Sequence, residues 1–236
     1  MKSHIRIAWY LFLLLPLGVY AGTKVTDRHE VVISEIPKPA HIWVYDFAAT
    51  PADVPAESAL AGKHAEPGTP QSPEQIAAGR QVGAELAADL VKAIRVMGMP
   101  AERPTADTKP QVNDLVIRGT LVSVVAGSKK KRFVVGFGSG ESELKVAVEG
   151  FQMTARGLRK LGYGSTESTG PKTPGGAAGL VALVATHNPI GLIASTGIKA
   201  YEHKTGGDAL VGRARDTAKK IAEVLKKRFQ EQGWIE

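Results

Sequence analysis

The residues with most to offer chemically are few and scattered. Gly136, Gly138 and Gly140 alternate in a G-F-G-S-G run. Glycine backbones can approach a phosphate closely, but a phosphate cradle also needs N–H groups converging at a helix start, often with a lysine. Here Glu141 and Glu143 follow, and Leu144, Val146 and Val148 alternate as in a strand. The glycines therefore read as a tight hairpin or bulge. Just before them, Lys129, Lys130, Lys131 and Arg132 gather four positive charges. Such a run attracts anionic headgroups at about 1 kcal/mol per charge, less in salt. It serves equally to keep a hairpin tip in water. Asp46 follows an apolar run, where a catalytic acid can stand and where a partnered carboxylate stands more often.

No constellation completes a reaction. The six histidines, His4, His29, His41, His64, His187 and His203, form no i, i+4 pair around a carboxylate, so no metal site is spelled out. Neither a G-x-S-x-G elbow nor a complete Walker loop is present. The chain has no cysteine. That excludes a disulfide framework, a thiolate metal site, a cysteine nucleophile and a lipidated cysteine anchor. No catalytic residue, metal or cofactor is implied.

The most unusual stretch is Thr173 to Ile198, which contains no Asp, Glu, Lys or Arg. If helical it could reach across a bilayer, which takes about 20 residues. Gly175, Ala178, Gly179 and Ala182 would give small-residue packing faces, but Asn188-Pro189 breaks the stretch midway. Three readings compete: a buried hairpin, a self-associating or membrane-contacting hairpin, and a spanning segment. Gly179, Leu180, Leu183, Ile190, Leu192 and Ile193, with the basic run Lys129 to Arg132, make up the candidate interaction surface.

The elements that must position these residues follow from pattern. Lys2 and Arg6 precede an apolar run from Ile7 to Val19, and Val19-Tyr20-Ala21 has the small-x-small form of a cleavage site before Gly22. Residues 1–21 therefore read as a secretory signal. Its loss would take two basic residues from a net charge of +7. Residues 22–40 read as an extended lead-in, and 41–236 as one domain, in keeping with a chain of 236 residues. His41–Phe47 is β-branched and aromatic, hence a strand. Residues 48–71 hold Pro51, Pro55, Pro67 and Pro70 and read as a flexible loop.

Ser72-Pro-Glu-Gln75 opens a helix with a capping box. Ile76, Val82, Leu86, Leu90, Ile94 and Met97 mark its buried face, and Gly98 stops it. Leu115–Val125 and a run to about Met153 are strands. Ala155–Tyr163 adds a short edge strand, and 165–176 is a second loop. Asp208–Gln230 is amphipathic, with Leu210, Ala214, Ala218, Ile221, Leu225 and Phe229 on one face. Gly233 ends it, and Trp234-Ile235 can fold back. The fold class is α+β: a mainly antiparallel sheet, a long helix after the first strand, and a C-terminal amphipathic helix packed on it.

Several blocks are also familiar. Trp43-Val-Tyr-Asp-Phe47, Pro51-Ala-Asp-Val54, Leu115-Val-Ile-Arg-Gly119, Arg132-Phe-Val-Val-Gly-Phe-Gly-Ser-Gly-Glu-Ser-Glu-Leu144 and Gln232-Gly-Trp-Ile235 resemble the bacterial family called domain of unknown function 4410. The resemblance runs from about Ala40 to Ile235. It implies export, and many members look like lipoproteins; this chain departs there, having no cysteine to lipidate. The family has no assigned reaction, so no catalytic residues carry over.

Together these readings predict an exported protein of the periplasm that can associate with a membrane. It would act as a non-enzymatic binding or assembly factor, with itself or other envelope proteins as partners and no nucleic acid. The alternatives are a periplasmic enzyme, which needs titratable groups converging in a pocket, and a small-ligand-binding module, which needs an apolar one.

Overall fold

The computed structural model describes residues 22–30, 35–61, 72–125, 143–169 and 207–236. Among the described residues six strands form one sheet: β1 (Gly22–Glu30), β2 (Ile42–Val44), β3 (Ala101–Glu102), β4 (Leu115–Val125), β5 (Glu143–Thr154) and β6 (Gly157–Thr169). The described residues also form two α-helices, α1 (Pro73–Val96) and α2 (Gly207–Glu231). The order across the sheet is β1-β6-β5-β4-β2-β3. The class is α+β, but the sheet is mixed. β2 runs parallel to both β3 and β4, while β4, β5, β6 and β1 pair antiparallel. The reason is α1, which carries the chain back so that the next strand starts in the same direction as β2. A two-residue β3 gives no periodic signal that would reveal this in advance.

The long helix follows the second strand. The first strand lies in what reads as lead-in, because β1 is defined by a distant partner. Its residues pair with Thr169 back to Gly162 of β6. Thr23 Oγ1 donates to Ser168 Oγ (3.0 Å), and the Thr26 and Ser165 hydroxyls bond at 2.8 Å. The same pairing makes β6 an interior strand of thirteen residues instead of a short edge strand. Ser165 to Thr169, loop-like by composition, continue it.

α1 begins as the capping box requires. Ser72 Oγ accepts from Gln75 N (3.3 Å), and Gln75 Oε1 accepts from Ser72 N (2.8 Å). This cap contributes about 1 kcal/mol. Gly98, at φ +80°, ends the helix. Val82, Leu86, Leu90 and Ile94 are buried against Ile42, Val44, Leu121 and Val146 of the sheet and Leu210, Ala214 and Ala218 of α2. Both helices thus share one face of the sheet and one core. Beyond α2, Trp234 is buried against Phe229 at 5.5 Å between ring centres. It is tied to the segment before β2 through Trp234 Nε1–Ile36 O (3.2 Å), Ile36 N–Gln232 Oε1 (2.9 Å) and Lys38 Nζ–Trp234 O (2.8 Å).

The chain leaving β2 makes a 3-10 turn, Pro51–Asp53, that is fastened to α1. Asp53 accepts from Thr50 N, Thr50 Oγ1 and both Arg80 Nε (3.2 Å) and Arg80 Nη2 (2.7 Å). Burial pushes the Asp53 carboxyl up, but the Arg80 and Thr50 bonds outweigh it and hold it below 3.8. A carboxyl depressed in the folded state stabilises above its unfolded pKa, and that stability is lost as pH falls through the folded one. We therefore expect Asp53→Asn to be less stable than wild type at pH 7, with the gap narrowing as pH falls below the ordinary carboxylate range. Urea unfolding at several pH values tests this; a gap independent of pH would refute it.

Candidate functional site

A cavity of about 430 Å³ lies between α2 and strands β1, β4, β5 and β6. It exists because glycine stands where the sheet faces the helix. Residues directly opposite in an antiparallel pair project to the same side. Gly150 opposes Ile117 and Gly162, and Gly164 opposes Val148. Ile117 is a core residue under the helices, so all three glycines lie on that face. A Cβ built on Gly150 would meet nothing within 4 Å. The roof is the stripe Ile221, Val224 and Leu225 of α2, with Phe229 and Trp234 closing one end.

The polar part of the lining has one character. Among the described residues its charged lining is Arg28 and Arg228, with no Asp or Glu. Arg228 also pairs with Glu231 on the same helix. Gln232 is occupied by Ile36, and Ser165 by Thr26. Thr166 is different. It is 5% exposed, and its Oγ1 is buried with no hydrogen-bond partner among the described residues. It opposes Val146, a core residue, so its side chain also faces the helix side. Buried hydroxyls are normally bonded, so this one is open to a water or a guest in the cavity.

The opposite face of the sheet holds a second cluster. Glu149, 5% exposed, accepts from Ser58 Oγ, from Ala59 N (3.0 Å) and from Lys160 Nζ. Arg118 lies over the Tyr45 ring (4.9 Å) and pairs with Glu57 (2.8 Å). A hydroxyl, a carboxylate and an ammonium together could suggest a nucleophile. Ser58, however, spends its proton on Glu149 and its oxygen on Leu60 N (3.1 Å). The cluster is a clasp that holds residues 57–60 to β5.

The sites expected from sequence fare unevenly. Lys129, Lys130, Lys131, Arg132, Gly136, Gly138, Gly140, Gly179, Leu180, Leu183, His187, Ile190, Leu192 and Ile193 lie outside the described residues, as does the signal segment 1–21. Asp46 is a half-exposed surface carboxylate held by Arg103 through Nε (3.0 Å) and Nη2 (2.7 Å). Among the described residues no group of three or more His, Asp or Glu could hold a metal. No helix among them is long and apolar enough to cross a membrane. Neither the cavity nor the Glu149 clasp is spelled out by local sequence pattern. The available signal was weak: Gly150, Gly162 and Gly164 interrupt strand patterns, which marks a close approach or a gap.

Comparison with known proteins adds three findings. No curated protein sequence matches the chain. Among solved structures, the PelC dodecamer from Paraburkholderia phytofirmans is similar at 12% identity and a TM-score of 0.36, covering 70% of this chain and 91% of that one. A candidate lipoprotein from Caulobacter crescentus is similar at 16% identity and a TM-score of 0.29, covering 64% and 85%. These likenesses are too distant to carry any argument about activity or assembly. The third finding is a family profile, described as Domain of unknown function (DUF4410), that matches residues 42–186. It spans β2 to β6 and more than half of the chain, and the chain belongs to that family.

Proposed function

We propose that this is an exported protein of the cell envelope that works by binding and not by catalysis. The observation that carries the binding half is the cavity under α2: apolar walls, a glycine floor and, among the described residues, no acidic residue in its lining and no partner for the Thr166 hydroxyl. A concave, largely apolar space with a few convergent polar groups is the usual form of a small-molecule site. The export half rests on the charged start, apolar run and exit site of residues 1–21. Contact with other envelope proteins, with a second copy or with a membrane surface belongs to the same reading, through the basic run Lys129 to Arg132 and the uncharged stretch 173–198.

Native mass spectrometry of the protein recovered from fractionated cells tests both halves. The expected species begins at Gly22, sits in the envelope fraction and carries a small molecule lost on denaturation. A full-length mass confined to the cytosol overturns export. A bare Gly22 form that takes up no apolar probe overturns binding. A high-pH carbonate wash separates a soluble from a membrane-held form.

A further inference from the structure

We infer that the cavity under α2 takes an uncharged single-chain aliphatic molecule, a long-chain alcohol or its like, and discriminates against a chain whose head is ionised. The inference rests on the binding reading and names the ligand class. Uncovered carbon is the first ground. Ile36, Val148, Leu161 and Leu225 line the cavity and pack against the core, yet they are only partly buried. Val25, also in the lining, is 36% exposed. Removing apolar surface from water favours an apolar guest, and that force needs no charge. Gly150 leaves room for one, since a Cβ there would meet nothing within 4 Å.

The second ground is that the polar side chains of the lining are already engaged. Arg228 is paired with Glu231, and Arg28 and Tyr163 have interactions of their own. Ser165 is bonded to Thr26, and Gln232 accepts from Ile36 N. Thr166 remains, with no partner for its hydroxyl among the described residues. A lone hydroxyl is then the most these side chains can offer a head group. It does not replace the hydration that a carboxylate, a phosphate or an ammonium loses on burial. Size is the third ground. A volume of 430 Å³ lies toward the lower end of the roughly 300–1,000 Å³ range of small-ligand sites, which suits one chain better than a diacyl lipid.

The test is calorimetric titration of the purified protein, washed free of any guest, with decanol, decanoate and decyltrimethylammonium. The solution is held at about pH 8, where a carboxyl is ionised, and below the micelle concentrations of the two ions. The three probes share one chain length and differ in the head. We expect decanol to bind one-to-one and at least tenfold more tightly than either ion. Gly150→Leu fills the cavity from the sheet and should cut decanol affinity at least tenfold with the melting temperature held or raised. Leu225→Phe narrows it from the helix and should weaken decanol several-fold, which keeps the location testable if Gly150→Leu does not fold.

Decanoate or the cation binding as tightly as decanol would overturn the uncharged head. Decanol affinity left unchanged by the folded variants would overturn the cavity as its place. Failure of all three probes to bind would overturn the ligand class. The binding reading would outlive that result only if native mass spectrometry still found a small molecule on the protein from cells, and would fall with it if the protein came bare.

Discussion

Glu149→Ala is expected to lower the melting temperature by about 10 °C. The carboxylate is 5% exposed and receives a hydroxyl, a backbone N–H and an ammonium. Removing one partner of a buried ion pair costs about 3–5 kcal/mol, because the other charge stays behind. At this chain length each kcal/mol corresponds to roughly 2–4 °C. Lys160 is only 27% exposed at its side chain, with the Phe151 and Tyr163 rings beside it, so it cannot simply return to water. Two controls separate the causes. Lys160→Met in the Glu149→Ala background should recover part of the loss by removing the stranded charge. Ser58→Ala alone should cost less, since the ammonium and Ala59 N–H still hold the carboxylate. A Glu149→Ala protein melting within about 2 °C of wild type would show that the clasp stabilises nothing.

Gly83→Ala should destabilise by roughly 2 kcal/mol or more, against the sign that helix propensity gives. Exchanging a glycine for alanine inside a helix ordinarily stabilises by about 0.5–1 kcal/mol. Here α1 meets the backbone of Phe47, whose N–H donates to Gly83 O (3.3 Å). A Cβ on Gly83 would lie 2.2 Å from Phe47 O, so backbone would have to move. On the sheet side Gly119 does the same for the ring: its Cβ would lie 2.1 Å from the Phe47 ring carbons. Phe47 is 2% exposed, pressed between two glycines on separate elements. Overpacking costs about 1–3 kcal/mol and sometimes more, which exceeds the propensity gain. Exposed Ala77 of the same helix provides the comparison: Ala77→Gly should cost about 1 kcal/mol by propensity alone. Urea unfolding of both variants decides it. If Gly83→Ala gained stability, the tight contact at Phe47 would be wrong.

Much of this fold can be read from local pattern. The cap at Ser72, the stop at Gly98, β4 as Leu115–Val125 and α2 to within a residue all follow from signals that lie within a few positions of one another. What escapes local reading is what depends on distant partners. β1 is an unremarkable polar stretch until Thr169 to Gly162 are beside it. The parallel pairing of β2 depends on where a long helix sets the chain down. The candidate site is harder still. A cavity is an absence shared by four strands and a helix, and the three glycines beneath it are unexceptional one at a time. Glu149 looks like any outward strand residue, because Ser58, its partner, lies 91 positions away.

The placement of β1 has a consequence for how the chain assembles. β1, the first of the described strands to leave the ribosome, can be paired only after β6, the last of them, has followed. β4, β5 and β6 are neighbours in order and can form a meander by short closures, whereas joining Gly22 to Thr169 closes a much longer loop. β1 is therefore expected to dock last and to be first to come away. Its amides should then exchange with deuterium through a local opening that spares β5. Because Val25 and Arg28 help wall the cavity, that opening is also a route by which a guest could enter or leave without the rest of the sheet unfolding.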